Sequence, residues 1–250
     1  MRSMEHWAPI PLYRPRLVWL ILMANIVIFL LTWLAARRSE EFSLVLLRYG
    51  AQYGPLIAEG EYWRLVTPIF LHGGWMHLLF NSYALYILGP AAEEIFGSLR
   101  FGAVYLLSGI AGVVASYGFL PCALSVGASG ALFGLMGALG AFYWIGRRLL
   151  GDLARLHVRQ MVALAAINLI IGFSIPNIDN FAHMGGLGGG IIAGLALAPR
   201  YEVVWWFGIP EVRRRDPRTA GWMLIAGIAA LLLAVALAFS WLYVTGGLSC

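Results

Sequence analysis

The chain contains no lysine: all 17 of its basic residues are arginine. Charge of either sign is scarce, with 12% charged residues against 61% hydrophobic ones and a mean hydropathy of +0.79. A soluble domain of 250 residues does not carry this balance, whereas a polytopic membrane protein does. The missing lysine reads as a compositional bias with no mechanism attached. The net charge of +5 is not a nucleic-acid signal, because the arginines cluster between apolar runs. Cysteine is nearly absent: Cys122 and Cys250 read as lone residues, and no Cys/His spacing suits a metal. There is no His-Glu-x-x-His helix, so no metal and no cofactor is expected. No aspartate pair lies within the apolar runs, since Asp152 and Asp179 fall between them, which excludes an aspartyl protease.

What the chain has in abundance is helix-length apolar sequence. Seven runs approach the roughly 20 residues a bilayer crossing needs: 17–35, 75–96, 101–119, 128–146, 158–175, 181–198 and 220–244. The first is too long for a signal-peptide core and is followed by Arg37-Arg38, so it reads as a retained anchor. Pro176-Asn177-Ile178-Asp179-Asn180 reads as a tight turn between two runs. The expected organisation is a short N-terminal segment 1–16, a six-helix core 17–198 with a long first loop 36–74, an Arg-rich linker 199–219, and a seventh helix with its tail over 220–250.

Arginine counting sets the orientation. With the N-terminus cytoplasmic, only Arg37, Arg38, Arg48 and Arg64 fall outside, all within loop 36–74, and the other thirteen lie inside. That bias predicts N-in, C-out. The loop itself is apolar. Phe42 to Leu47 and Leu65 to Phe70 suit the membrane interface with Trp63 and Trp75 as belt residues, and a packed extracellular loop is the equal alternative.

Two polar residues sit among small residues at the heads of apolar runs. Ser129 lies in Gly127-Ala128-Ser129-Gly130, and His183 in Ala182-His183-Met184-Gly185-Gly186. An ionisable residue inside a membrane segment marks function by default, and a hydroxyl beside an imidazole is a nucleophile with its base. His183, Gly186, Gly190 and Gly194 form one helical stripe, which aims the histidine at a closely packed neighbour. The span headed by Ser129, with Gly130, Gly134 and Gly137, is the obvious partner. Glycine seams also occur without catalysis; Gly221 and Gly227 of the last run are expected to lie outside the seam. His77 and Asn81 are four apart on one helix face. They suit either an oxyanion hole or hydrogen bonding to each other or to a neighbouring backbone.

Taken together, these elements resemble the rhomboid family of intramembrane serine proteases. The matching motifs are Trp63-Arg64, His72-x4-His77-x3-Asn81, Glu93-x3-Gly97-Ser98, Gly127-Ala128-Ser129-Gly130 and Ala182-His183-x2-Gly186-x3-Gly190. They occur in family order and cover about 63–194. The resemblance implies an all-α polytopic fold with a six-helix core plus one C-terminal helix. It implies Ser129 as nucleophile, His183 as base, and His77, Asn81 and the Ser129 amide as oxyanion donors. Trp63, Arg64, His72, Glu93, Gly186 and Gly190 would be structural or supporting. The family often has tyrosine four residues after the serine; here Phe133 offers an aromatic face to the imidazole without the hydroxyl.

The implied activity is cleavage of single-pass or polytopic transmembrane proteins near the outer membrane face. Lipid is the implied medium, with no nucleic acid, metal or cofactor involved, and a bacterial inner membrane the expected location. Leu120-Pro121 through Gly127 is expected to line a cavity open to water. A substrate would need small or helix-breaking residues to unwind. The alternative is an inactive rhomboid-like binding protein, whose relatives usually lack the serine or the histidine. A transporter would need polar residues spread along a path, and the middle runs are almost purely apolar.

Overall fold

The computed structural model describes residues 12–37, 41–207, 209–217 and 219–247. Most of the expected N-terminal segment, with Arg38, Arg218 and Cys250, lies outside the described residues. The architecture is helical: α1 (Leu17–Ala36), α2 (Phe42–Arg48), α3 (Gly54–Ala58), α4 (Trp75–Phe96), α5 (Ser98–Phe119), α6 (Ser129–Ser174), α7 (Asn180–Leu197) and α8 (Thr219–Val244). Two short 3-10 turns, Tyr62–Leu65 and Thr67–Phe70, lead into α4. By length and apolarity alone, four helices suffice to cross a membrane: α1, α5, α6 and α8. The helix α4 carries Glu93, Glu94 and Pro90, and α7 is 18 residues rich in glycine. The chain is an integral membrane protein of all-α polytopic class.

Two expected runs are one interrupted helix. The stretch 147–157, expected as a loop, is helical on both sides of Gly151, where φ 55 and ψ −126 break α6 into two arms. Arginine and leucine on one side and Asp152 to His157 on the other are tolerable helix formers, with an Arg155–Asp152 pair at 2.9 Å. Glycine alone adopts that positive φ without strain, so the reversal needs a single residue. The arms then pack back on each other, Phe133 and Met136 against Ala165.

The Arg-rich linker 199–219 is also structured. It holds an antiparallel hairpin, β1 (Arg200–Trp206) and β2 (Ile209–Arg215), which departs from an all-helical expectation. Val203, Val204, Trp205, Trp206 and Val212 are strand formers that the surrounding arginines obscure. The helix α8 leans on the back of α5: the Phe239 ring fills the space beside Gly118, and the Tyr117 hydroxyl meets the Ser240 hydroxyl at 3.1 Å.

The rod at the centre is α5, with Phe101, Val104, Tyr105, Ser108, Val114 and Tyr117 all buried. Against it lies α7, and against α7 the first arm of α6. A β-carbon built on Gly185 would meet the Ala111 carbonyl at 2.6 Å, and one on Gly189 the Ala111 methyl at 2.8 Å. The opposite side of α7 faces α6: a β-carbon on Gly190 would stand 2.0 Å from the Gly134 carbonyl oxygen, and one on Gly194 2.6 Å from the Ala138 α-carbon. Three backbones therefore approach within reach of glycine alone, as in membrane helix packing driven by small residues. One expectation fails here. Gly221 is not open, since its β-carbon would come 2.5 Å from the Ala196 carbonyl oxygen, whereas Gly227 has nothing within 4 Å.

Candidate active site

Ser129 is the first residue of α6, so its N–H belongs to the helix's open first turn. His183 lies one turn into α7 and is buried. The seam between these helices brings Ser129 Oγ to 2.9 Å from His183 Nε2. On the other side of the imidazole, Nδ1 stands 3.3 Å from Asn180 Oδ1. The Asn180 oxygen can only accept, so Nδ1 carries the proton and Nε2 is left to accept from the serine hydroxyl. The Phe133 ring stacks on the imidazole, centroids 4.4 Å apart and planes within 15°. An acceptor and an aromatic face thus fix the tautomer and the tilt of one histidine.

The cap of α7 supports this arrangement. Asp179 Oδ1 accepts from the Ala182 N–H at 2.9 Å, while Oδ2 accepts from the Ser125 hydroxyl at 2.7 Å. One carboxylate caps the histidine helix and ties it to the segment leading into Ser129. That segment, 120–127, is further pinned from the first loop. The Gln52 and Ser125 backbones exchange hydrogen bonds at 2.9 and 3.1 Å, Gly54 N–H reaches the Pro121 carbonyl at 2.7 Å, and Gly127 N–H reaches the Pro68 carbonyl at 2.9 Å.

His77 and Asn81 project from the start of α4 toward Gly127. A β-carbon on Gly127 would lie 2.6 Å from His77 Nε2 and 3.5 Å from Asn81 Nδ2, and φ there is +130. Only glycine meets both conditions. His77 Nδ1 accepts from the Gly73 N–H at 3.3 Å, which leaves Nε2 as the N–H donor. Asn81 Nδ2 is buried without a hydrogen-bond partner among the described residues. A buried donor left unsatisfied costs about 1–3 kcal/mol, so it calls for an acceptor from outside. Two donors thus converge beside the backbone that leads into Ser129. Of the alternative pairings, His77 meets a neighbouring backbone at Gly73, while mutual pairing of His77 and Asn81 does not occur among the hydrogen bonds of the described residues.

The remaining motif residues have structural surroundings. Arg64 is buried and donates to the Leu47 and Ala51 carbonyls at 2.7 and 2.8 Å and to Glu61 at 2.6 Å, stapling α2 to the first loop. Trp63 beside it is 54% exposed, as a belt residue would be. Glu93 lies at the opposite end of α4, accepting from the Leu17 and Val18 N–H groups, both at 2.8 Å, and from Ser98 Oγ. Its carboxylate caps the otherwise uncapped N-terminus of α1. His72 is wholly buried, its ring 5.4 Å from that of His77. Cys122, read as a lone residue, is disulfide-bonded.

The Rhomboid domain family model matches residues 59–200, which is more than half of the chain and contains Ser129, His183, His77, Asn81, Phe133 and Asn180. The chain belongs to the rhomboid family. It is 41% identical over 184 residues to the rhomboid protease GluP of Bacillus subtilis (strain 168), a match covering 74% of this chain and 35% of that protein. It is 39% identical over 147 residues to the putative rhomboid protease YdcA of the same organism, covering 58% and 72% respectively. RHOMBOID-like protein 7 of Arabidopsis thaliana is 38% identical over 152 residues, 60% of this chain and 48% of that one. The chain therefore spans about a third of GluP and about half of the plant relative.

Within the rhomboid frame, Asn180 and Ser125 support the site without belonging to any of its motifs. Asn180 ends a stretch that reads as a turn, and only its position three before His183 marks it as a helical neighbour of the imidazole. Asp179 followed by a helix-length run is a recognisable N-cap, and Ser125 as its second partner had no sequence signal.

Proposed function

We propose that this rhomboid is an intramembrane serine endopeptidase with Ser129 as nucleophile and His183 as general base. The observation that carries the reading is the 2.9 Å contact between Ser129 Oγ and His183 Nε2, with Asn180 holding the opposite nitrogen. Oγ attacks the scissile carbonyl while its proton passes to Nε2. The oxyanion is held by His77 Nε2–H, Asn81 Nδ2–H and the Ser129 amide. The imidazolium returns its proton to the leaving amine, giving an acyl-enzyme that water hydrolyses by the same relay. General-base action contributes about 10²–10⁴-fold and each oxyanion donor about 10²–10³-fold.

The substrate is a transmembrane protein cut near the outer membrane face. The seven rods (α1, α4, α5, two arms of α6, α7 and α8) each span the bilayer, N-terminus inside and C-terminus outside, in a bacterial inner membrane. The arginine distribution supports this orientation. The domain organisation follows: a six-helix protease core over 17–198, a linker over 199–219 and the helix of 220–250. The relatives' names as proteases support the chemistry.

Labelling with a fluorophosphonate probe in detergent tests the assignment. The wild type should label covalently and Ser129→Ala should not, while both insert and fold alike. Equal labelling of the two proteins would end the dyad reading.

A further inference from the structure

The end of the molecule opposite Ser129 carries a second organised feature. The helix α7 runs 18 residues, and its end at Leu197 lies about 21 Å along the axis from His183. There the chain enters the hairpin, and Arg200 and Arg215 are directly paired in its ladder. Like charges placed opposite each other in a β-pair repel. Arg215 has a carboxylate partner, Glu202, at 2.7 Å. The Arg200 guanidinium has no hydrogen-bond or ion-pair partner among the described residues. Asp216 is engaged elsewhere: its Oδ1 accepts from Arg100 at 2.6 Å and Arg214 at 2.7 Å, and its Oδ2 from the Tyr13 hydroxyl at 3.5 Å.

Both arginines line a cavity of about 770 Å³. Its other walls include Leu195 and Ala198 at the end of α7 and Ala220 and Gly221 at the start of α8. Asp216 also lines it, but its carboxylate is paired with Arg100 and Arg214, so the cavity is cationic on the side of Arg200 and Arg215 and apolar where two membrane helices flank it. The hairpin is amphipathic in the same sense. Tyr201, Val203, Trp205, Pro210 and Val212 alternate onto one face with Arg214, while Glu202, Glu211 and Arg213 fall on the other with Val204, Trp206 and Ile209. Its tip is bare apolar surface: Trp205 is 67% exposed, Phe207 94% and Ile209 69%. An apolar face with tryptophan at its end suits the headgroup boundary of a bilayer.

We propose that the cavity between α7, α8 and the hairpin base binds an anionic phospholipid of the leaflet opposite the active site, its phosphate between Arg200 and Arg215 and its acyl chains along Leu195 and Ala220. The phosphate relieves the repulsion of the paired arginines through charge-assisted hydrogen bonds. Basic pockets between membrane helices take lipid headgroups in this way. The proposal is independent of the protease assignment.

Native mass spectrometry and thermal unfolding of the detergent-solubilised full chain test it, with phosphatidylglycerol, phosphatidylethanolamine and inorganic phosphate as probes. Phosphatidylglycerol should be retained and should raise Tm, and phosphatidylethanolamine should do so less. Arg200→Gln and Arg215→Gln should each weaken phosphatidylglycerol retention roughly tenfold, whereas Arg155→Gln, an exposed arginine at the α6 turn, should not. Equal retention of both lipids, or unchanged retention in Arg200→Gln, overturns the proposal. A rise in Tm with inorganic phosphate as large as with the lipid also overturns it, and assigns a soluble-anion site instead.

Discussion

A β-carbon on Gly186 would stand 2.0 Å from the carbonyl oxygen of Gly130, the residue that follows Ser129. The helix of the histidine therefore touches the helix of the serine at backbone contact, one turn from His183 and directly beside Ser129. Any side chain at position 186 must push the two helices apart. A misplacement of about 1 Å can cost on the order of 100-fold in rate. Gly186→Ala should lower cleavage of a model transmembrane substrate by about that factor and lower Tm as well. Gly227→Val, where nothing lies within 4 Å, should leave both unchanged. Equal tolerance at the two positions would separate the seam from the dyad.

Asn81 presents a buried donor with no partner among the described residues, and His77 a donor whose other nitrogen is occupied by the Gly73 amide. Replacing either by alanine should lower kcat by roughly 10²–10³-fold, about 2.7–4 kcal/mol, with a smaller effect on KM. Asn81→Ala removes an unsatisfied polar group, so its Tm should hold or rise. Steady-state kinetics beside thermal unfolding decide the matter. Loss of stability in step with activity would make these residues structural.

His72 lies in the loop before α4, and burial holds its imidazole down to about 3, with His77 pressing the same way and the Phe70 carbonyl opposing. In the unfolded chain a histidine titrates near 6.5. Between the two values the unfolded state holds the extra proton. Stability is therefore full above about pH 6.5 and falls as pH drops toward about 3. His72→Gln should flatten that fall. The difference in Tm between about pH 7 and about pH 5 should be larger for the wild type. Parallel profiles would assign the acid sensitivity to another group.

The contact of Ser129 with His183 was legible because both are polar exceptions in apolar, glycine-rich runs, and a 3.6-residue period places them on facing helices. The seam was legible for the same reason: Gly186, Gly190 and Gly194 repeat at helical spacing, and each meets the facing α6 backbone. The hairpin was not, because Arg213 to Arg215 suggested a solvated linker, although Val203 to Trp206 is strand-forming sequence. The single-glycine reversal at Gly151 was hidden by charges that usually end a span. The partners that orient the site, Ser125 for Asp179 and Gly73 for His77, depend on tertiary approach or loop geometry that no periodicity encodes.

Asn180 separates a dyad from a supported one. Its oxygen holds His183 Nδ1, and a β-carbon on Gly172, in the second arm of α6, would meet that same oxygen at 2.2 Å. The asparagine is thus wedged between the histidine and the second arm. It bears no charge, so it selects the tautomer and offers little Coulombic stabilisation to the imidazolium. Its loss should then forfeit only part of the general-base contribution of about 10²–10⁴-fold. Asn180→Ala should slow cleavage by about tenfold, with KM nearly unchanged. Asn180→Asp keeps the acceptor and adds a charge that favours the imidazolium, so it should recover activity and raise the apparent pKa of the pH–rate profile. A variant set in which alanine and aspartate fall equally, with no change in profile, would make Asn180 a packing residue alone.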